Sequence, residues 1–117
     1  MSSGLKKVIL ESPFAGATKE EVERNIRYAR ACMRDCFNRG EAPLASHLLY
    51  TQPGILDDND PDERNLGIEA GLLWGAEAEM TVVYIDFGIS PGMKKGIDRA
   101  EREGRKVDYR SIDYGEE

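Results

Sequence analysis

Lys7-Val8-Ile9-Leu10 is a short apolar run ended by Ser12-Pro13, a pattern that predicts a buried first strand. Ser12 to Ala17 follows as a loop. Thr18 with Glu21 three residues later has the form of a capping box and opens a helix. Val22, Ile26, Ala29, Met33 and Phe37 recur at helical spacing and predict its inward stripe, and Gly40 stops it. Alternation from Ala42 to Leu49 predicts a second strand. A polar loop from Gln52 to Asp60 leads into Asp60-Pro61-Asp62-Glu63, which combines a cap, a first-turn proline and acids that suit the helix dipole. The helix it starts extends to about Ala78. Thr81 to Asp86 is β-branched and nearly continuous, which predicts a central strand covered on both faces. Ser90-Pro91 opens a third helix with Met93, Ile97 and Ala100 inward, and Val107 to Ile112 form a last strand.

Strands alternating with helices imply parallel pairing with right-handed crossovers. The expected fold is α/β: a small Rossmann-like three-layer domain over residues 1–117, with a mainly parallel sheet of about four or five strands and an acidic tail from about 113. In such sheets ligands sit beyond the carboxyl ends of the strands, where helix N-termini present free N–H groups. That rule nominates 12–16, 47–50 and 86–93.

Composition narrows the function. Among 117 residues, 16 Lys and Arg stand against 22 Asp and Glu, a net charge of −6. An acidic domain lacks the electrostatic footprint of a nucleic-acid binder. No apolar run is long enough for a membrane helix, and the N-terminal residues carry no secretory apolar region. Cys32 and Cys36 lie four apart on one helix with no cluster of metal-type residues beside them, so they read as free core thiols of a cytoplasmic protein. No metal or cofactor is expected.

The most informative stretch is Asp86-Phe87-Gly88-Ile89-Ser90-Pro91-Gly92-Met93. A carboxylate ends a strand, Gly88 and Gly92 permit close backbone approach, and Ser90 begins a helix; this suits a phosphate or a ribose hydroxyl. A tight turn with Ser90 as a plain cap is the alternative. Ser12, Pro13, Phe14 and Gly16 hold the matching place after the first strand, with Phe14 able to stack on a base or to join the core. His47, the one histidine, and Tyr50 share the next loop, where they serve a ligand or the structure. Ser90, His47 and Asp86 make a triad on paper only, because the nucleophile-elbow motif is absent. Gly67, Gly71 and Gly75 form a stripe that admits a close neighbour, either within the chain or in a homo-oligomer. Glu69 lies among apolar neighbours, as a catalytic acid or nucleophile does, and as a salt-bridged carboxylate does too.

The Ser12-Pro13-Phe14 loop, the Gly67-Ile68-Glu69-Ala70-Gly71 helix and the Tyr84 to Met93 turn resemble small phage and bacterial domains of uncharacterised function. These are similar in turn to the nucleoside 2-deoxyribosyltransferases and to the nucleotide-sugar-binding SLOG group. The resemblance spans about Val8 to Ile112 and implies a pocket for a nucleotide, a nucleoside or an NAD-derived ribosyl ligand. In the transferases an aspartate-glycine turn, matched by Asp86 and Gly88, leads to a helix bearing a nucleophilic glutamate. That glutamate's place falls near Gly96 here and is not matched. The resemblance therefore implies a binding module that sequesters or senses its ligand, using Ser12, Pro13, Phe14, Gly16, His47, Tyr50, Asp86, Gly88, Ser90, Gly92 and Met93. The alternative is an enzyme that cleaves an N-glycosidic bond with Glu69 or Asp86 as the reacting carboxylate.

Overall fold

The computed structural model describes residues 4–114; most of the expected acidic tail lies outside them, as does the extreme N-terminus. The elements run β1 (Lys6–Glu11), α1 (Lys19–Asn38), β2 (Glu41–Leu44), α2 (Ser46–Leu49), α3 (Pro61–Gly75), β3 (Met80–Tyr84), α4 (Pro91–Arg102) and β4 (Lys106–Arg110). The four strands form one sheet in the order β2-β1-β3-β4. All three pairings are parallel, with Lys6 opposite Glu41, Val8 opposite Met80, and Met80 opposite Lys106. This is the α/β architecture the alternation of elements implies. No helix among the described residues is long and apolar enough to cross a membrane.

Period-two alternation divides the strand residues between two faces. Val8, Leu10, Val82 and Tyr84 pack with Tyr28, Cys32 and Cys36 of α1, whereas Val83 packs with Met93 and Ile97 of α4. Ile9 and Glu11 alternate with Val8 and Leu10 and so fall on the face opposite α1. Both cysteines are free and buried, and burial pushes both thiols up from their ordinary range.

Three local expectations need correction. The inward stripe of α1 is Asn25, Tyr28, Ala29, Cys32 and Cys36, about one residue round from the expected one. Phe37 is consequently 53% exposed. Asn25 is inside because its amide donates to the Phe14 and Ala15 carbonyls, fixing the loop after β1. Second, the strand expected from Ala42 to Leu49 stops at Leu44, and Ser46 to Leu49 turn into a short helix. Here Pro43 and the Leu48-Leu49 pair fit a strand edge and a helical turn as well as they fit alternation. Third, α3 ends at Gly75 rather than near Ala78. The caps behave as their sequences indicate: the Thr18, Asp60 and Ser90 side chains each accept from backbone N–H groups of the first turn. Glu21, however, reaches back to the Ala17 N–H rather than that of Thr18.

Asp86, just past β3, ties the end of the described chain to α1. Its carboxylate accepts from the Tyr28 hydroxyl at 2.6 Å, the Ser111 hydroxyl at 2.8 Å, and the Ile112 and Tyr114 N–H groups. Partial burial opposes ionisation, but these donors outweigh it and hold the carboxyl down at about 2, against an ordinary 3.8. A depressed carboxylate contributes stability that is full above the ordinary value and is lost as pH falls through the folded one. Asp86→Asn should therefore lower the melting temperature at neutral pH. It should also flatten the loss of stability that the parent shows between about pH 4 and pH 2. The hydrogen bonds to the ionised carboxylate are worth about 1–2 kcal/mol after solvent screening. Thermal melts across that range test it, and an acid limb identical in both proteins would assign the loss to other carboxylates.

Candidate functional site

A cavity of about 310 Å³ lies between α3 and α4 on the sheet face opposite α1. That volume is at the lower end of small-molecule sites. Ile9, Glu11, Ser12 and Phe14 bring the end of β1 to it. Ser46, His47 and Tyr50 come from α2 and its C-terminal end, Gly67, Gly71 and Gly75 from α3, and Ser90, Gly92, Met93 and Gly96 from the start of α4. The α3 glycines have a local reason. A Cβ on Gly71 would overlap the Ser46 side chain, one on Gly67 would crowd Leu56, and one on Gly75 would press on Arg105. The stripe thus admits close neighbours within the chain itself, which is one of the two readings its spacing allows.

Ser12 is 4% exposed, and its hydroxyl is hydrogen-bonded to His47 Nε2 at 2.7 Å. Burial holds the imidazole well below its usual value, at about 4, so it is neutral at physiological pH. His47 belongs to α2 and not to a strand end; the helical turn points it back over β1. Thr51 donates to the His47 carbonyl at 2.6 Å and closes that turn.

Glu11 is the unexpected member. It is the last residue of β1, and its alternation with Leu10 turns it away from the α1 core and towards α4. A Cβ on Gly96 would overlap its carboxyl oxygens, so the helix approaches the acid as closely as a bare backbone allows. Burial raises its pKa to about 8, with only partial relief from the positive charge of Arg105. The carboxyl is therefore protonated at neutral pH. Two cations also line the cavity: Arg64, paired with Asp58 at 2.8 Å, and Arg105, paired with Glu103 at 2.6 Å and bonded to Thr81 Oγ1 at 3.0 Å. No group of three metal-ligating side chains occurs among the described residues.

Of the residues singled out in the sequence, Ser12, Phe14, His47, Tyr50, Ser90, Gly92 and Met93 come together around this one cavity. Gly16 lines a second, adjoining cavity that shares Phe14 and Leu56 with the first. Pro13 is buried and lines neither. Asp86 and Gly88 lie outside both linings. The Asp86 carboxylate is occupied by α1 and by the chain after β4, and Gly88 serves its turn with a φ of +83°. Glu69 is exposed on α3 and lines neither cavity. Glu11, Arg64 and Arg105 are not among the residues the sequence nominates, and Gly96 is named there only as the unmatched place of a nucleophile. Only Glu11 left a signal: a carboxylate on the alternating strand position where Ile9 precedes it.

In overall structure the chain is similar to a 2-deoxyribosyltransferase from the psychrotolerant bacterium Bacillus psychrosaccharolyticus, described as a biocatalyst for the synthesis of antiviral and antitumoral nucleosides. The TM-score is 0.62 at 20% sequence identity, over 93% of this chain and 74% of that one. The likeness is one of fold. No curated protein matches the sequence. Residues 6–110, which include every strand and helix described above, match the model of one family, to which the chain belongs: the domain of unknown function DUF7768.

Proposed function

We propose that the cavity between α3 and α4 binds a nucleoside or a nucleotide-type ribosyl compound. The observation that carries this reading is the convergence of Phe14, Tyr50 and the Ser12–His47 pair on one cavity of small-molecule size. Phe14 offers a stacking face for a base, and the hydroxyl–imidazole pair offers both a donor and an acceptor to sugar hydroxyls. Ser90 and the first turn of α4 give the same cavity a polar end that favours a phosphate. The fold shared with a nucleoside 2-deoxyribosyltransferase supports the same ligand class.

The purified protein should be incubated with pooled nucleosides, nucleotides, NAD and ADP-ribose, washed, and heat-denatured before chromatography. A nucleoside-type compound, intact or as its separated base and sugar, should be associated with the protein. Phe14→Ala should weaken that retention by roughly tenfold, the low end of what base stacking supplies. A panel recovered unchanged and wholly in the wash would sink the reading.

A further inference from the structure

On the cavity side of the sheet the charged groups have partners. Arg64 is held by Asp58, Arg105 by Glu103 and Thr81, and Glu63 accepts from the Asp57 N–H. The carboxyl of Glu11 is the exception: it lines the cavity and accepts no hydrogen bond from any described residue. An acid desolvated in this way costs the fold free energy that the charge of Arg105 returns only in part. Gly96 compounds that cost. Glycine inside a helix is destabilising by roughly 0.5–1 kcal/mol relative to alanine, yet any side chain there would overlap the acid. Two elements far apart in sequence thus carry unfavourable features whose joint result is a free carboxyl facing a cavity.

We propose that Glu11 is the catalytic acid of this cavity and protonates the departing base of a bound nucleoside while water adds to the anomeric carbon. The proposal rests on the nucleoside reading above. In this step the carboxyl proton passes to a ring nitrogen of the base as the bond from C1′ to the glycosidic nitrogen breaks, and the electron pair leaves with the base. A water oxygen then bonds to C1′, and its released proton returns to the Glu11 carboxylate. The products are the free base and the free pentose, with the carboxyl restored. A group that stays protonated up to about pH 8 is suited to giving a proton at neutral pH. The other titratable and charged groups around the cavity are Asp58, Glu63 and Arg64 from the loop before α3 and α3 itself, His47 from α2, Tyr50 just after it, and Arg105 before β4. His47 is neutral, and Arg105 is the one whose charge pulls the Glu11 pKa back down.

The test incubates the parent protein and Glu11→Gln with a panel of ribo- and 2′-deoxynucleosides, measuring released base and retained nucleoside in parallel. The substitution keeps shape, so folding is checked by circular dichroism. The parent should release free base, at a rate that falls as pH rises through about 8. Glu11→Gln should slow release by at least ~100-fold, the usual contribution of a positioned acid, with retention of the nucleoside within a few-fold. A second variant, Gly96→Ala, should slow release by displacing the carboxyl. Nucleoside held intact by the parent would overturn the acid role and leave the binding reading standing. Undiminished release by Glu11→Gln, or a rate indifferent to pH between 6 and 9, would overturn it as well. Neither retention nor release would overturn both readings together.

Discussion

Arg110→Met should destabilise the fold by about 3–5 kcal/mol, the usual result of leaving one member of a buried ion pair alone. Arg110, at the end of β4, donates through both terminal nitrogens to the Glu41 carboxylate at the start of β2, at 2.8 and 2.6 Å. The two side chains are only 5% and 7% exposed. The same guanidinium donates to the Tyr84 hydroxyl at 3.1 Å and to Asp108 at 2.8 Å. It therefore joins the two outer strands of the sheet to an inner one. Methionine has comparable reach but offers no donor, so Glu41 would stay buried without its charge partner. The paired change Glu41→Leu with Arg110→Met should recover most of the loss, because the desolvation cost of both charges disappears together. Urea unfolding followed by circular dichroism measures both. A loss below ~1 kcal/mol in the single variant would class the pair with solvated surface pairs.

Gly71→Leu should abolish retention of ligand while leaving the sedimentation coefficient unchanged. Even a Cβ at this position overlaps Ser46, so α2 must move, and His47 with it. The rest of the leucine enters the cavity that Gly71 lines. Overpacking of this kind costs roughly 1–3 kcal/mol, which a folded protein can survive. Loss of retention by ~100-fold or more, equal to about 2.8 kcal/mol of binding, is the expected reading. Undisturbed retention would move the ligand out of this cavity. A shifted sedimentation peak would make the stripe a contact between subunits as well.

The residues that announced themselves in the sequence did so through local physics. Val8 to Leu10 and Thr81 to Tyr84 are apolar enough to be strands on any reading, and Thr18, Asp60 and Ser90 are caps whose partners lie within one turn. The misjudged face of α1 shows where locality fails. Asn25 does not look like a core residue until the Phe14 carbonyl gives its amide a partner, and without it the two cysteines, though legible as core thiols, do not define the buried stripe. The short α2 was hidden because alternation and a single helical turn cannot be separated over four residues. Glu11 and Gly96 are 85 positions apart, and neither has meaning without the other. Asp86 was legible as a residue with a task, but whether it faced α1 or α4 depended on side-chain direction, which the turn sequence does not fix.

The outer strands also decide how this sheet meets other molecules. β2 is four residues long and contains Pro43, which has no N–H to offer a further strand. β4 reads Lys-Val-Asp-Tyr-Arg, with ionic side chains at alternate positions. Both are recognised ways of blunting an open edge against strand addition. Concentrated protein should accordingly resist amyloid-type growth from the native state, and crowding will act instead on the helical surfaces, where Leu66, Leu73 and Trp74 of α3 are exposed.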